Sequence, residues 1–293
     1  MIRTRIESFG VSPPAKGLFA PGSLRHAVRA GERCFEASSY RRADVQMLIN
    51  AGIHRDGHYA EPAFACFIQK ELGINTEFQG RQTASFDLLN GGCGLLNAIH
   101  VISTLIQSGG LEVGMAVASE ANSDRRPDPG YTYERSGAAV LVDASPKSDV
   151  GFEGFCFRTF EEHVELYASV VSLAQANGRL LLRRKAELEE AYLASAAPVV
   201  EQLLSQAGCR KEQIDLVLPS QISKEFVRGL GGRIGVSADR VVDLSARHGD
   251  TLTTSTVLAL DEAQRRGLTA PGKRALFLTF GSGVTVGAAL YRF

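Results

Sequence analysis

Along the first 145 residues, short apolar runs alternate with stretches in which apolar residues return every three or four positions. This is the pattern of buried strands alternating with amphipathic helices. Thr4–Val11 reads as a strand, closed by Ser12-Pro13-Pro14. A helix is expected over Ser23–Glu36, with Ser23 as its cap and Leu24, Ala27, Val28 and Ala30 as recurring apolar positions. Val45–Ile49 has the continuous apolarity of a strand covered on both faces. Pro62, after Glu61, suits the first turn of a helix that runs to Leu72. Phe86–Leu89 is a further short strand, and the turn Asn90-Gly91-Gly92-Cys93-Gly94 leads into an almost wholly apolar helix, Leu95–Ser108. Strands Val113–Ala118 and Ala138–Val142 complete a β-α-β-α-β-α-β-β order.

The rest of the chain repeats that rhythm more loosely. A strand over Val150–Arg158 precedes a long helical zone, Phe160–Gln206, broken at Asn177-Gly178. Strand Ile214–Leu218, helix Glu225–Ile234, strand Arg240–Leu244 and helix Thr253–Arg266 follow. Two closing strands, Arg274–Phe280 and Val284–Tyr291, are joined through Gly281-Ser282-Gly283. Two successive halves of similar order, 1–145 and 146–293, predict an internally duplicated α/β protein of five layers built around one shared core.

Composition narrows the classes of function. The 32 basic and 32 acidic side chains cancel, which removes the electrostatic warrant for a nucleic-acid or membrane-surface binder. Five scattered cysteines, Cys34, Cys66, Cys93, Cys156 and Cys209, include no CxxC pair and suit neither a disulfide scaffold nor a zinc knuckle. The opening MIRTRIESFG has no apolar core of a secretory leader, and no apolar run approaches the ~18–20 residues of a membrane span. The expectation is a cytoplasmic enzyme-sized protein that calls for no cofactor and no metal.

Candidate chemistry concentrates at a few turns. Cys93 stands at the start of an apolar helix, where unpaired N–H groups and the helix dipole favour a thiolate. It reads either as a nucleophile or as a small core residue in a close-packed turn. His54 and His58, four apart, have metal-ligand spacing but lie in a Gly- and Asp-containing loop with no third ligand nearby. Gly229-Leu230-Gly231-Gly232 follows a helix, not a strand, and so fails the context of a dinucleotide fingerprint. His248 and Asp250, on the loop before the helix at Thr253, have the residue types of a base and its orienter, or of a helix cap beside a structural imidazole. Gly281 and Gly283 flank a turn whose N–H groups can approach an oxyanion, or simply turn a hairpin.

Taken together, these segments resemble the thiolase superfamily, and most closely ketoacyl-ACP synthase III. The resemblance covers almost the whole chain. It is carried by Glu61-Pro62 with Phe67-Ile68-Gln69-Lys70-Glu71-Leu72-Gly73, by Phe86-Asp87 through Gly94, by Ser108-Gly109 and by Ser136-Gly137-Ala138-Ala139-Val140. Pro219-Ser220-Gln221, Arg247-His248-Gly249-Asp250-Thr251, Leu260-Asp261-Glu262-Ala263 and Phe280-Gly281-Ser282-Gly283 extend it. It implies two αβαβα-type halves and a dimer formed through a strand of the N-terminal half, homodimeric or heterodimeric with a related synthase.

The family's chemistry rests on Cys, His and Asn, and all three positions differ here. The ungapped elbow places Gly92 at the nucleophile position, with Cys93 about 100° further round the helix. Pro-His-Gln becomes Pro219-Ser220-Gln221, and His-Gly-Asn becomes His248-Gly249-Asp250. An ionised Asp250 would repel the enolate of malonyl decarboxylation, and a lost oxyanion donor typically costs ~10²–10³ in rate. The segment that walls the pantetheine tunnel in the family is shortened to Lys16-Gly17 before Ser23, and the chain has no Trp. The expected function is therefore a synthase III-like acyltransferase acting on acyl-carrier or other acyl thioesters. Its expected parts are Cys93 as nucleophile, His248 and Asp250 as base and orienter, and Ser220 as a polar site residue. Gly92, Gly281 and Gly283 belong to the oxyanion or substrate pocket, and Lys224 and Arg228 to carrier-protein docking. The alternative is a catalytically inactive partner subunit of a heteromeric condensing enzyme; a binder or lyase using the old tunnel is a third reading.

Overall fold

The computed structural model describes residues 2–15, 17, 20–75 and 82–293; Lys16 of the shortened segment lies outside them. Elements follow in the order β1 (Thr4–Ser12), α1 (Ser23–Glu36), β2 (Met47–Asn50), α2 (Phe64–Leu72), β3 (Ala84–Asp87), α3 (Gly94–Gln107), β4 (Val113–Glu120) and β5 (Ser136–Ala144). There follow β6 (Gly151–Thr159), β7 (Tyr167–Ser172), the single turn α4 (Leu173–Ala176), β8 (Arg179–Arg184) and α5 (Leu188–Gln206). The chain ends with β9 (Leu216–Pro219), α6 (Lys224–Ile234), α7 (Ser255–Arg265), β10 (Arg274–Gly281) and β11 (Thr285–Arg292).

Two sheets carry the architecture. The first has the order β1-β5-β4-β2-β3 and the second β6-β11-β10-β9. From β1 and from β6 the neighbours run antiparallel, antiparallel, parallel in both sheets, so the second repeats the first without its last strand. Helices α3 and α7 lie between the sheets, and their buried faces form one core with residues of both. Helices α1 and α2 cover the outer face of the first sheet, and α5 and α6 that of the second. The apolarity of α3 around most of its circumference follows from this central layer, where Leu95, Leu96, Ile99 and Ile102 are all buried.

Several expectations are corrected. Ser23 does not cap α1: the Asp56 carboxylate accepts from the N–H groups of Ser23 and Leu24, both at 3.0 Å, and Ser23 Oγ accepts from Asp56 N–H. Pro62 precedes α2, whose first N–H groups, from Phe64 and Ala65, donate to the Asp87 carboxylate at 2.7 and 3.0 Å. The supposed helical zone 160–206 is helical mainly in α5. Its first part turns back as the hairpin β7–β8, with Asn177 and Gly178 both left-handed (φ 52° and 78°). Arg240–Leu244 does not form a ladder strand. It makes one parallel bridge, Val217 to Val241, and the Gln221 side chain holds the rest by donating to Val242 O and accepting from Leu244 N–H.

Candidate active site

The turn entering α3, the turn between β10 and β11, the segment after β9 and the loop before α7 converge between the two sheets. They enclose a cavity of only about 30 Å³, room for roughly one or two waters. Of the residues expected here, Gly92, Ser220 and Asp250 line it. Cys93, His248, Gly281 and Gly283 do not, although Ser282, between the two glycines, does.

The elbow explains the closure. A side chain at Gly92 has no space, because its Cβ would fall 2.3 Å from Phe280 O. At Gly91, where φ is +52°, a Cβ would meet Ser282 N at 2.5 Å, and one at Gly281 would meet Asn90 O at 2.6 Å. Backbone is therefore pressed on backbone at the elbow. Gly283 (φ +86°) faces open space and serves the hairpin turn.

Cys93 does not meet the requirements of a nucleophile. Its thiol is fully buried at the N-cap of α3 and donates to Thr285 O at 3.3 Å. Burial pushes its pKa up to about 12, against weaker opposing hydrogen bonds from Thr279 and Gly287. Desolvation thus outweighs the helix dipole that motivated the thiolate expectation.

Aromatic side chains fill much of the space around the elbow, and sequence reasoning missed them. Tyr133, Tyr167 and Tyr192 line the cavity, with Tyr133 Oη donating to Tyr167 Oη at 3.2 Å. Tyr192 packs against Phe280, and β7 of the misread hairpin delivers Tyr167. The alternation Tyr131-Thr132-Tyr133 before β5 was the available signal for two of the tyrosines around this region.

Asp250 is the titratable carboxylate of the cavity. Burial raises its pKa to about 7, although the Leu252 N–H bond (2.8 Å to Oδ1) and Arg184 favour the charged form. The carboxylate is therefore not permanently ionised at neutral pH, unlike the fixed anion expected from sequence. His248 sits half-buried on the same loop, with its backbone N–H donating to Leu244 O at 3.0 Å. Ser220 Oγ accepts from Phe280 N–H at 3.3 Å and so braces β10. Lys224 and Arg228 are exposed, one turn apart on α6. His54 and His58 do not converge: His54 faces Glu120, and His58 Nε2 lies 2.7 Å from Asp124.

Five layers, two duplicated sheets and a site gathered at the N-termini of the two central helices define a thiolase-like condensing-enzyme fold. Residues 204–293 match the family model for 3-oxoacyl-[acyl-carrier-protein (ACP)] synthase III C terminal. The beta-ketoacyl-[acyl-carrier-protein] synthase III of Sodalis glossinidius is 29% identical over 277 residues, covering 90% of this chain and 82% of that protein. That of Pectobacterium atrosepticum is 28% identical over 302 residues, covering 99% and 89%. The solved 3-oxoacyl-[acyl-carrier-protein] synthase III of Aquifex aeolicus superposes with a TM-score of 0.85 at 20% identity, covering 99% of this chain and all of that one. The chain is thus similar in sequence to ketoacyl-ACP synthase III and has the thiolase-like fold of those proteins. Among the described residues, no helix is long and apolar enough to cross a membrane.

Proposed function

We propose that the chain serves synthase III-type acyl transfer as a subunit that does not itself carry the acyl group at its elbow. It supports a companion of the same family that retains Cys, His and Asn. The sealed elbow carries this reading: no room for a side chain at Gly92, a buried thiol at Cys93 and a cavity too small for an acyl chain. Covalent catalysis needs an activated nucleophile within reach of the substrate, and the elbow offers none. Two surfaces suit the role. Strand β3 is an outer strand of the first sheet, with Phe86 exposed on it, and it is the edge on which a companion would pair. Lys224 and Arg228 would meet the acidic face of an acyl carrier protein, the donor named in the curated relatives.

The deciding experiment is intact-protein mass spectrometry after incubation with acyl-carrier thioesters, for this chain alone and mixed with a Cys-His-Asn homologue. The expected result is an acyl adduct on the homologue, in a stoichiometric complex, and none on this chain that depends on Cys93. An adduct on this chain that disappears in Cys93→Ala overturns the reading.

One observation favours a second reading. A carboxylic acid with a pKa of about 7 beside Ser220 in a dry cavity has the proton affinity of a general base, as in a direct acyltransferase. In that case Asp250→Asn lowers turnover of an acyl thioester without altering the masses above.

A further inference from the structure

A second group of reactive side chains lies next to the closed cavity, across Ile53 and the Tyr133 ring, which stacks on His54 at 5.5 Å. It opens onto a surface groove of about 580 Å³, lined among others by His54, Arg55, Ser169, Leu89, Val171 and Leu180. The His54 ring is buried, stacked on Tyr133 and edge-on to Tyr131 at 5.2 Å, so its orientation is fixed from both faces.

Its two nitrogens meet different partners. Nδ1 lies 3.0 Å from Glu120 Oε2, off the axis of the ring N–H, and Nε2 lies 3.4 Å from Ser169 Oγ. Glu120 is fully buried at the end of β4. It accepts from the N–H groups of Ile53 (3.2 Å) and His54 (3.0 Å), and from Thr253 Oγ1 at 2.6 Å. The carboxylate is thus immobilised against the imidazole. Arg55, 6% exposed, pairs through Nη1 with Asp87 at 2.8 Å, while its buried Nη2 has no hydrogen-bond partner among the described residues.

We propose that Ser169, His54 and Glu120 form a nucleophile–base–orienter set that cleaves acyl esters or thioesters bound in this groove. The contact order, Ser Oγ to Nε2 and Nδ1 to carboxylate, is the one such chemistry needs. Long, poorly aligned contacts are usual before substrate binds. Ser169 Oγ bonds to the acyl carbon as its proton passes to His54 Nε2. The C–O or C–S bond breaks, and the alcohol or thiol leaves with that proton. Water, deprotonated by His54, then attacks the acyl-serine and releases the acid. The unpartnered Arg55 Nη2 is a ready donor for the charge that develops on the carbonyl oxygen. Leu89, Val171 and Leu180 provide an apolar wall for the acyl chain. Glu120 is a positioning residue, acting through His54.

The test is labelling of the purified full-length chain with a fluorophosphonate, which forms a Ser–phosphorus bond and expels fluoride. It is read by intact mass and peptide mapping, with hydrolysis of a short acyl thioester in parallel. One adduct on Ser169 is expected, with both signals lost in Ser169→Ala at an unchanged unfolding temperature. His54→Gln slows labelling by about 100-fold or more, the usual share of a general base. Glu120→Gln slows it too, and Glu120→Asp restores part of the rate, which a purely structural role would not do. No adduct on Ser169 in the folded chain, or an unchanged rate in His54→Gln, overturns the inference. Neither outcome bears on the elbow, whose reading is decided by acyl transfer from carrier thioesters.

Discussion

The cavity at the elbow and the groove beside it share Ile53 and the walls around Tyr133, yet they have opposite characters. The cavity, of about 30 Å³, holds a raised carboxyl and three tyrosines, and the Cys93 thiol is not in its lining. The groove, of about 580 Å³, is open and has a serine in contact with an oriented imidazole. The elbow at Gly92 is thus closed to substrate, while the groove beside it brings a serine, an imidazole and a buried carboxylate together. Function follows the groups that converge on usable space, and a matching fold does not guarantee that the old place is still one of them.

The sharpest way to break this contrast is to put the nucleophile back. Gly92→Cys introduces a Cβ against a backbone carbonyl that cannot yield without moving β10. It is expected to cost upward of about 4 kcal/mol or to prevent folding. Denaturant unfolding measures the loss, and a stable Gly92→Cys protein that takes up an acyl group would show that the elbow opens.

A smaller effect tests how dry the cavity is. The folded pKa of Asp250, about 7, lies above its ordinary 3.8, so between these values the folded chain holds a proton that the unfolded chain releases. Stability from this group is therefore greatest below about pH 4 and falls as pH rises towards 7, by about 3–4 kcal/mol. Asp250→Asn removes that slope, and urea unfolding at a series of pH values should show the two proteins diverging upward from pH 4. Parallel curves would mean that water reaches the carboxylate.

The smallest effect belongs to the groove. Leu89 and Val171 are half exposed, so Leu89→Ala and Val171→Ala should each change stability by no more than about 0.5 kcal/mol. A larger loss would mean that the groove wall is part of a packed core.

Most of the fold was legible because its signals are local. The buried runs at β2, β4, β5, β10 and β11 and the starts and stops of α1, α3 and α6 lie within a few residues of the places the pattern assigned them. The hairpin β7–β8 was not, because its Leu- and Ala-rich sequence fits a helix, and strand pairing plus the packing of Tyr167 into the cavity decide the outcome. At the site, Gly92, Ser220 and Asp250, each singled out from the sequence, line one cavity. It could not reveal that Cys93 faces Thr285, since the direction of one side chain at a helix start depends on contacts nearly two hundred residues away. The approach of His54, Glu120 and Ser169, from a loop and two strands remote in sequence, likewise leaves no motif to read.

The position of β11 ties the elbow to the second sheet. It lies inside that sheet, between β6 and β10, and supplies the carbonyl that receives the Cys93 thiol. Were its pairing lost, β6 and one edge of β10 would have no neighbour, and the elbow would have nothing to close against. Local opening of β11 therefore loosens the sheet and the elbow together and bares strand edges that invite aggregation.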